Sequence, residues 1–347
     1  MVMRSLFLAT LIILIEACSG PELATPSADH GNLSIRLDSL FAVERLRSYA
    51  LPGVAIVTLD SGRVSGEYAF GRRDERQRMT VNTVFEAASL SKTVVAYLAL
   101  QLADGEGLRL DAPITLDTLQ YTPELKGITP RMLLTHTSGL LPRYSAGTYR
   151  FGPGRGSIFR YAEDNYILLQ QVVEEHSGYN LETLAQQKIF RPLQLLNSSF
   201  VWQERFTLTA ALGYDRHGEP LRALLRHRHP LANGTLLTTP REYANLLEAF
   251  LADTSIMSIL LEHPVRTRRR PTSLRWVNGT GVELRSKGDI YLWQWGDNGA
   301  FRSFFAVNPR TGKGFVAFAN AVGSDQFFGP LAEVVLGHRL TAAEVGI

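Results

Sequence analysis

The stretch Glu86-Ala-Ala-Ser89-Leu-Ser-Lys92-Thr-Val-Val-Ala-Tyr-Leu-Ala-Leu100 decides how this 347-residue chain is read. A small, polar Ser-Leu-Ser-Lys opens a run whose apolar spacing predicts a helix from Leu90 to about Leu102, ending near Asp104-Gly105. Lysine is scarce. Only Lys92, Lys126, Lys188, Lys287 and Lys313 stand among 36 Lys and Arg residues. Ser89 and Lys92 are three apart at a helix start, so their side chains share a face. A serine hydroxyl is a weak nucleophile until a base takes its proton. Lysine serves as that base when burial or a nearby cation lowers its pKa, whereas arginine does not deprotonate. Free N–H groups at the helix start favour developing negative charge. The same four residues also fit a Ser N-cap followed by a solvated lysine, so the surroundings must decide.

Working outward, residues 34–49 carry Ile35, Leu37, Leu40, Phe41, Val43 and Leu46 at helical spacing. Val54 to Leu59 and Val64 to Phe70 read as strands around the turn Asp60-Ser61-Gly62-Arg63. The middle, roughly 86–250, reads as helices and loops. Strand-like runs return at Ile290 to Trp295, Ser303 to Val307 and Gly314 to Ala321, with a turn at Pro309-Arg-Thr-Gly312 and a terminal helix from about Gln326 to Leu340. No internal repeat is visible. Early and late strands pair into one antiparallel sheet flanked by helices, with the mainly helical segment inserted beside it, which is an α+β architecture.

A hydrophobic fraction of 45% with 20% charged residues is that of a chain with a substantial core. The net charge of +3 does not point to nucleic acid. The basic run Arg266-Thr-Arg-Arg-Arg270 has no interleaved aromatics and reads as a surface loop. Residues 1–18 read as an export signal. Arg4 is followed by an apolar stretch from Leu6 to Ile15, which at about 1.5 Å per residue is roughly half a bilayer thick. Ile15-Glu16-Ala17-Cys18 resembles a bacterial lipoprotein signal, with Cys18, the one cysteine, as the lipidated residue; Glu16 departs from that pattern. Residues 19–32 read as a tether and 33–347 as the folded unit. The expectation is an exported protein anchored at a membrane by its N-terminal lipid and facing the periplasm or cell exterior.

Several motifs follow Ser89 and Lys92 in order. They are Gly107-Leu-Arg-Leu-Asp111-Ala-Pro113, Leu133-Leu-Thr-His-Thr-Ser-Gly-Leu140, Tyr161-Ala-Glu-Asp-Asn-Tyr166 with Leu168-Leu169, and Phe190-Arg-Pro-Leu193. As a set, across residues 35–340, they resemble the serine β-lactamase superfamily of class C β-lactamases, D,D-peptidases and related esterases. The resemblance implies a sheet domain and a helical domain with the active site between them. It implies that Ser89 and Lys92 form the first motif, and that Tyr161 opens the second, here Tyr161-Ala162-Glu163, and shares proton transfer with Lys92. The third motif is best matched by Gln294-Trp295-Gly296, ahead of Asp297. An oxyanion hole from the N–H groups of Ser89 and Asp297 is implied too. No metal or cofactor is implied.

Two departures bear on substrate. Glu163 stands where Asn is usual and puts a carboxylate near Lys92. Gln294 replaces a Lys or His that would hold a substrate carboxylate. Both argue against efficient turnover of β-lactams and for a small-molecule or peptide substrate carrying a neutral or amine-bearing ester or amide. The rival readings are a true β-lactamase or D,D-carboxypeptidase, and a non-catalytic cell-wall-binding or sensory module. His136 reads as a structural turn residue. His217, His227 and His229 lack partners at metal-ligand spacing. Gly152-Pro-Gly-Arg-Gly156 reads as a flexible loop at the cleft rim. Tyr291, Trp293 and Trp295 read as core packing in preference to pocket lining.

Overall fold

The computed structural model describes residues 28–115, 125–142, 149–267, 273–285 and 288–345. The signal segment with Cys18, residues 268–270 of the basic run, and Lys287 lie outside the described residues. Among the described residues the strands are β1 (Gly53–Asp60), β2 (Arg63–Gly71), β3 (Phe85–Glu86), β4 (Gly213–Tyr214), β5 (Pro220–Arg222), β6 (Leu237–Thr238), β7 (Val265–Arg266), β8 (Leu274–Trp276), β9 (Gly281–Leu284), β10 (Ile290–Asp297), β11 (Arg302–Val307) and β12 (Gly314–Ala319). The helices are α1 (Ala28–Leu40), α2 (Val43–Ser48), α3 (Ser91–Gly105), α4 (Pro130–Leu134), α5 (Asp164–Ser177), α6 (Leu181–Ala185), α7 (Pro240–Ala252), α8 (Thr254–Leu260), α9 (Phe328–Leu336) and α10 (Ala342–Val345).

Eight strands form one antiparallel sheet in the order β2-β1-β12-β11-β10-β9-β8-β7, so the first hairpin closes against the last strand as the sequence pattern predicts. The β1–β2 hairpin turns through Ser61 and Gly62, both at positive φ (50° and 73°), a turn whose twist suits the flanking strands. Both faces of the central strands are covered. Val54 and Ile56 of β1, Phe304 and Ala306 of β11, and Phe315 and Ala317 of β12 pack with Phe327, Phe328 and Leu331 on one side. Ala55, Val57, Phe305, Val316 and Phe318 join the larger core shared with the helical region on the other. Double coverage explains why these strands read as nearly continuous apolar runs rather than alternating ones.

Helix α3 is buried nearly all round, as expected of a helix through the middle of a core, and Lys92 sits in its first turn. The chain leaves the sheet after Gly71 and rejoins it at Val265, an excursion longer than the 86–250 read from the sequence. Helix α7, inside that excursion, packs on β1, β2 and β12. Helix α1 starts at Ala28, within the segment read as tether, and the first helical run is two helices broken between Leu40 and Val43. Phe41 at the break is buried, its ring 4.9 Å from that of Phe70. The terminal helix is shorter than predicted because Gly337, at φ 86°, ends it. Among the described residues no helix is long and apolar enough to cross a membrane.

Candidate active site

Ser89 lies half-buried in a single turn of 3-10 helix, Ala88–Leu90, between β3 and α3. Ala88 before it adopts φ 49°, a left-handed conformation that costs a non-glycine residue about 1 kcal/mol or more. The neighbouring strands hold this turn in place. Ala87 N–H donates to Leu236 O at 2.9 Å, and Ser91 Oγ donates to Ala88 O at 2.6 Å while accepting from Leu236 N–H. From the other side, Ser303 Oγ of β11 donates to Ala87 O at 2.8 Å and Gln294 Nε2 of β10 donates to Ser89 O at 3.1 Å. Gly296 must be glycine here, since a Cβ would stand 2.1 Å from Ser303 Oγ and 2.4 Å from Ala87 O. The end of β10, with Asp297, is thereby brought against the nucleophile turn.

Lys92 is fully buried, and its Nζ donates to Ser89 Oγ at 2.8 Å and to Asn233 O at 2.8 Å. It lies 5.1 Å from the centroid of the Tyr161 ring. Among the described residues no carboxylate oxygen lies within 4 Å of it. Tyr161 is half-buried, and its ring centroid lies 4.5 Å from that of His136 with the planes tilted by 35°; His136 itself turns through φ 54°. His136 Nδ1 accepts from Asn165 Nδ2 at 3.2 Å and Ala162 N–H at 3.4 Å, which assigns its proton to Nε2. Burial holds His136 well below the ordinary histidine range, so it is neutral. It packs against Tyr161 from a turn, the place the sequence reading gave it.

Glu163 is exposed at the start of α5, and its carboxylate accepts from Asn233 Nδ2 at 3.2 Å instead of pairing with Lys92. The sequence expectation of a carboxylate near Lys92 is therefore met only at one remove, with Asn233 between the two. Gln294 is fully buried beneath Ser89, not displayed to a substrate, and its Oε1 has no partner among the described residues. The reason is strand alternation. Gln294 and Gly296 face the nucleophile turn, while Tyr291, Trp293 and Trp295 face the opposite core, as their sequence reading expects. Asp297 is exposed, and its carboxylate accepts from Arg302 and from Gly299 N–H.

Three groups were not assigned from the sequence. Asn233 is one. Asn165 ties the 136–138 turn to the Tyr161 segment through Ser138 Oγ at 2.5 Å and His136. The third is Glu86, which is buried and held bidentately by Arg222 at 2.7 and 2.9 Å, with further bonds from Leu225 N–H and Asn298 Nδ2. Asn298 also donates to Gly234 O, so one buried ion pair joins β3, the 233–234 turn and the turn after Asp297. The signals were present as Ala-Asn-Gly-Thr at 232–235 and Asp-Asn-Gly at 297–299, but each partner lies more than 60 residues away. No cluster of His, Cys, Asp and Glu suited to a metal occurs among the described residues. The Gly152–Gly156 loop bonds to the His136 turn, through Gly152 N–H to Gly139 O and Gly156 N–H to Thr137 O.

A family model described as Beta-lactamase matches residues 39–338, and the chain belongs to that family. It is 28% identical over 248 residues to esterase EstB of Burkholderia gladioli, covering 60% of this chain and 62% of the esterase. It is 28% identical over 194 residues to a beta-lactamase of Pseudomonas fluorescens, covering 50% and 52%. The match thus spans less than two thirds of these relatives' length. The fold is similar to that of an octameric penicillin-binding protein homologue from Pyrococcus abyssi, with TM-score 0.76, 22% identity, and coverage of 90% of this chain and 78% of that one.

Proposed function

We propose that this member of the beta-lactamase family is a serine hydrolase that acts through an acyl-enzyme on Ser89. The carrying observation is the 2.8 Å bond between Lys92 Nζ and Ser89 Oγ, in a buried setting where no carboxylate engages the amine. Lys92 takes the Ser89 proton as Oγ attacks the substrate carbonyl. The resulting ammonium is held by Asn233 O and by the face of the Tyr161 ring. The oxyanion is received by the N–H groups of Ser89 and Asp297, an interaction that in other hydrolases is worth about 10²–10³ in rate. The proton then passes, with Tyr161 taking part, to the leaving alcohol or amine. Water attacks the acyl-enzyme and releases the acid.

The substrate class we propose is a neutral or amine-bearing ester or amide. Similarity does not choose between esterase and β-lactamase, since both relatives are 28% identical. The site's charges favour the former. Glu163 is exposed at the cleft, Gln294 supplies no cation, and the nearby Arg302 is engaged by Asp297. A β-lactam carboxylate would meet repulsion without a compensating cation. The test is kcat/KM on a short-chain ester, a D-amino-acid peptide and a chromogenic cephalosporin, with Ser89→Ala as control. Turnover of the cephalosporin at least equal to that of the ester would support the β-lactamase reading. Absence of any Ser89-dependent reaction would favour a binding module. We also propose that residues 1–18 direct export and that Cys18 carries the lipid. Cys18→Ala should move the protein from the membrane fraction to the soluble one or leave its signal uncleaved, and a wild type already soluble after cleavage elsewhere would refute the anchor.

A further inference from the structure

One residue touches both the amine of Lys92 and the carboxylate of Glu163. Asn233 accepts from Lys92 Nζ with its main-chain oxygen at 2.8 Å and donates its side-chain amide to Glu163 Oε2 at 3.2 Å. Of the carboxylates around the site, Glu86 is neutralised by Arg222 and Asp297 by Arg302. Asp164, next on the turn of Glu163, is buried and has an interaction of its own. The Glu163 carboxylate has no Lys or Arg within 4 Å among the described residues, and its one described hydrogen bond is from Asn233. The remaining groups facing Lys92 are Ser89, the Tyr161 ring and the neutral His136.

We propose that Asn233 is a positioning residue that keeps the Glu163 carboxylate off Lys92, so that Nζ stays on Ser89 Oγ and remains available to take its proton. This rests on the reading of Ser89 and Lys92 given above. An opposite charge within about 4–6 Å stabilises the charged form of an amine and raises its pKa by about 1 to 3. A lysine held as ammonium by a carboxylate has no lone pair for Ser89. The amide of Asn233 and the start of α5 together give the carboxylate another place to sit, while the Asn233 carbonyl fixes the lysine in line with Ser89.

The test measures kcat/KM for p-nitrophenyl acetate from pH 5 to 10 in the wild type, Asn233→Ala, Asn233→Asp and Asn233→Ala with Glu163→Gln. The alanine variant keeps the carbonyl that meets Lys92 and removes only the amide. At pH 7 its kcat/KM should fall at least tenfold, and the midpoint of the rising limb should move up by one pH unit or more. Adding Glu163→Gln should bring the midpoint back to that of the wild type. Asn233→Asp is the same size and should move the midpoint in the same direction, which keeps the test decisive if the alanine variant does not fold. A merely structural role for Asn233 would lower the rate at every pH without moving the midpoint. An unmoved midpoint in both variants, or a displacement that persists in the double variant, overturns the proposal while leaving Ser89-dependent turnover standing. If the wild type shows no Ser89-dependent turnover, the parent reading falls and this one with it.

Discussion

The two sides of the cleft are held in different ways. The nucleophile turn, residues 87–92, is fixed by bonds to the main-chain atoms of Ala87 and Ser89 from β10, β11 and the segment at β6, by Ser91 Oγ on Ala88 O, and by a glycine packed flat against it. The side chains of the opposing rim, Tyr161, Glu163 and Asn233, rest on ring contacts and single hydrogen bonds. A frame held through its main chain fixes where the nucleophile stands whatever occupies the rim. A rim held by side chains is free to change its charge by one substitution. Reaction chemistry is therefore expected to be robustly encoded on the first side and substrate preference on the second.

The largest expected effect breaks the first side. Lys92→Arg puts a permanent cation there that cannot accept a proton, so kcat should fall by about 10³-fold or more while the protein stays folded by circular dichroism. If Lys92→Arg retains more than a tenth of the activity, charge alone and not proton transfer is the role of this side chain. Next in size is the ion pair that ties the two sides together. Arg222→Ala leaves Glu86 buried without its cation, and denaturant unfolding should show a loss of about 3 kcal/mol, since breaking a buried pair from one end costs more than the pair contributes. A loss below about 1 kcal/mol would mean that Glu86 is satisfied by Asn298 and Leu225 alone.

A smaller effect sharpens the contrast from the side of pH. His136 is neutral when folded because its pKa lies below the unfolded value of about 6.5. In acid the unfolded chain binds a proton that the folded chain refuses. The stabilising contribution is thus complete above pH 6.5 and lost as pH falls below it, by up to about 1.4 kcal/mol per pH unit. Stability compared at pH 7.5 and 5.0 should fall more steeply in the wild type than in His136→Asn. Equal slopes would show that His136 takes up its proton when folded. The smallest expected effect concerns the rim. Glu163→Asn should raise the cephalosporin-to-ester ratio of kcat/KM by roughly tenfold, because about 1.4 kcal/mol of charge interaction in the transition state is one decade. High salt should reduce that gain, since Glu163 is exposed. An unmoved ratio would place substrate charge preference elsewhere.

What the sequence shows of this molecule follows the range of its interactions. Ser89 and Lys92 are legible because their contact is made within one helical turn, and the paired β1, β11 and β12 because each is a long apolar run. Strands β7, β8 and β9 were missed because they are only two to four residues long and take their stability from the neighbour they pair with. Asn233, Asn165 and the Glu86–Arg222–Asn298 group were missed because an isolated polar residue carries no mark of a partner brought to it only by folding. Gln294 was placed on the right strand but given the wrong neighbour. Its motif position suggested a substrate contact, whereas the sheet turns it under Ser89.

The central claim is that Ser89 carries the acyl group, and the most direct measurement is of that adduct. The protein is mixed with a slowly deacylating neutral ester, quenched in acid, digested and mapped by mass spectrometry. The account requires an added acyl mass on the peptide containing Ser89, assigned by fragmentation to Ser89 and not Ser91, and its disappearance in Ser89→Ala. Turnover without any adduct on that peptide, or the same adduct persisting in Ser89→Ala, would contradict it.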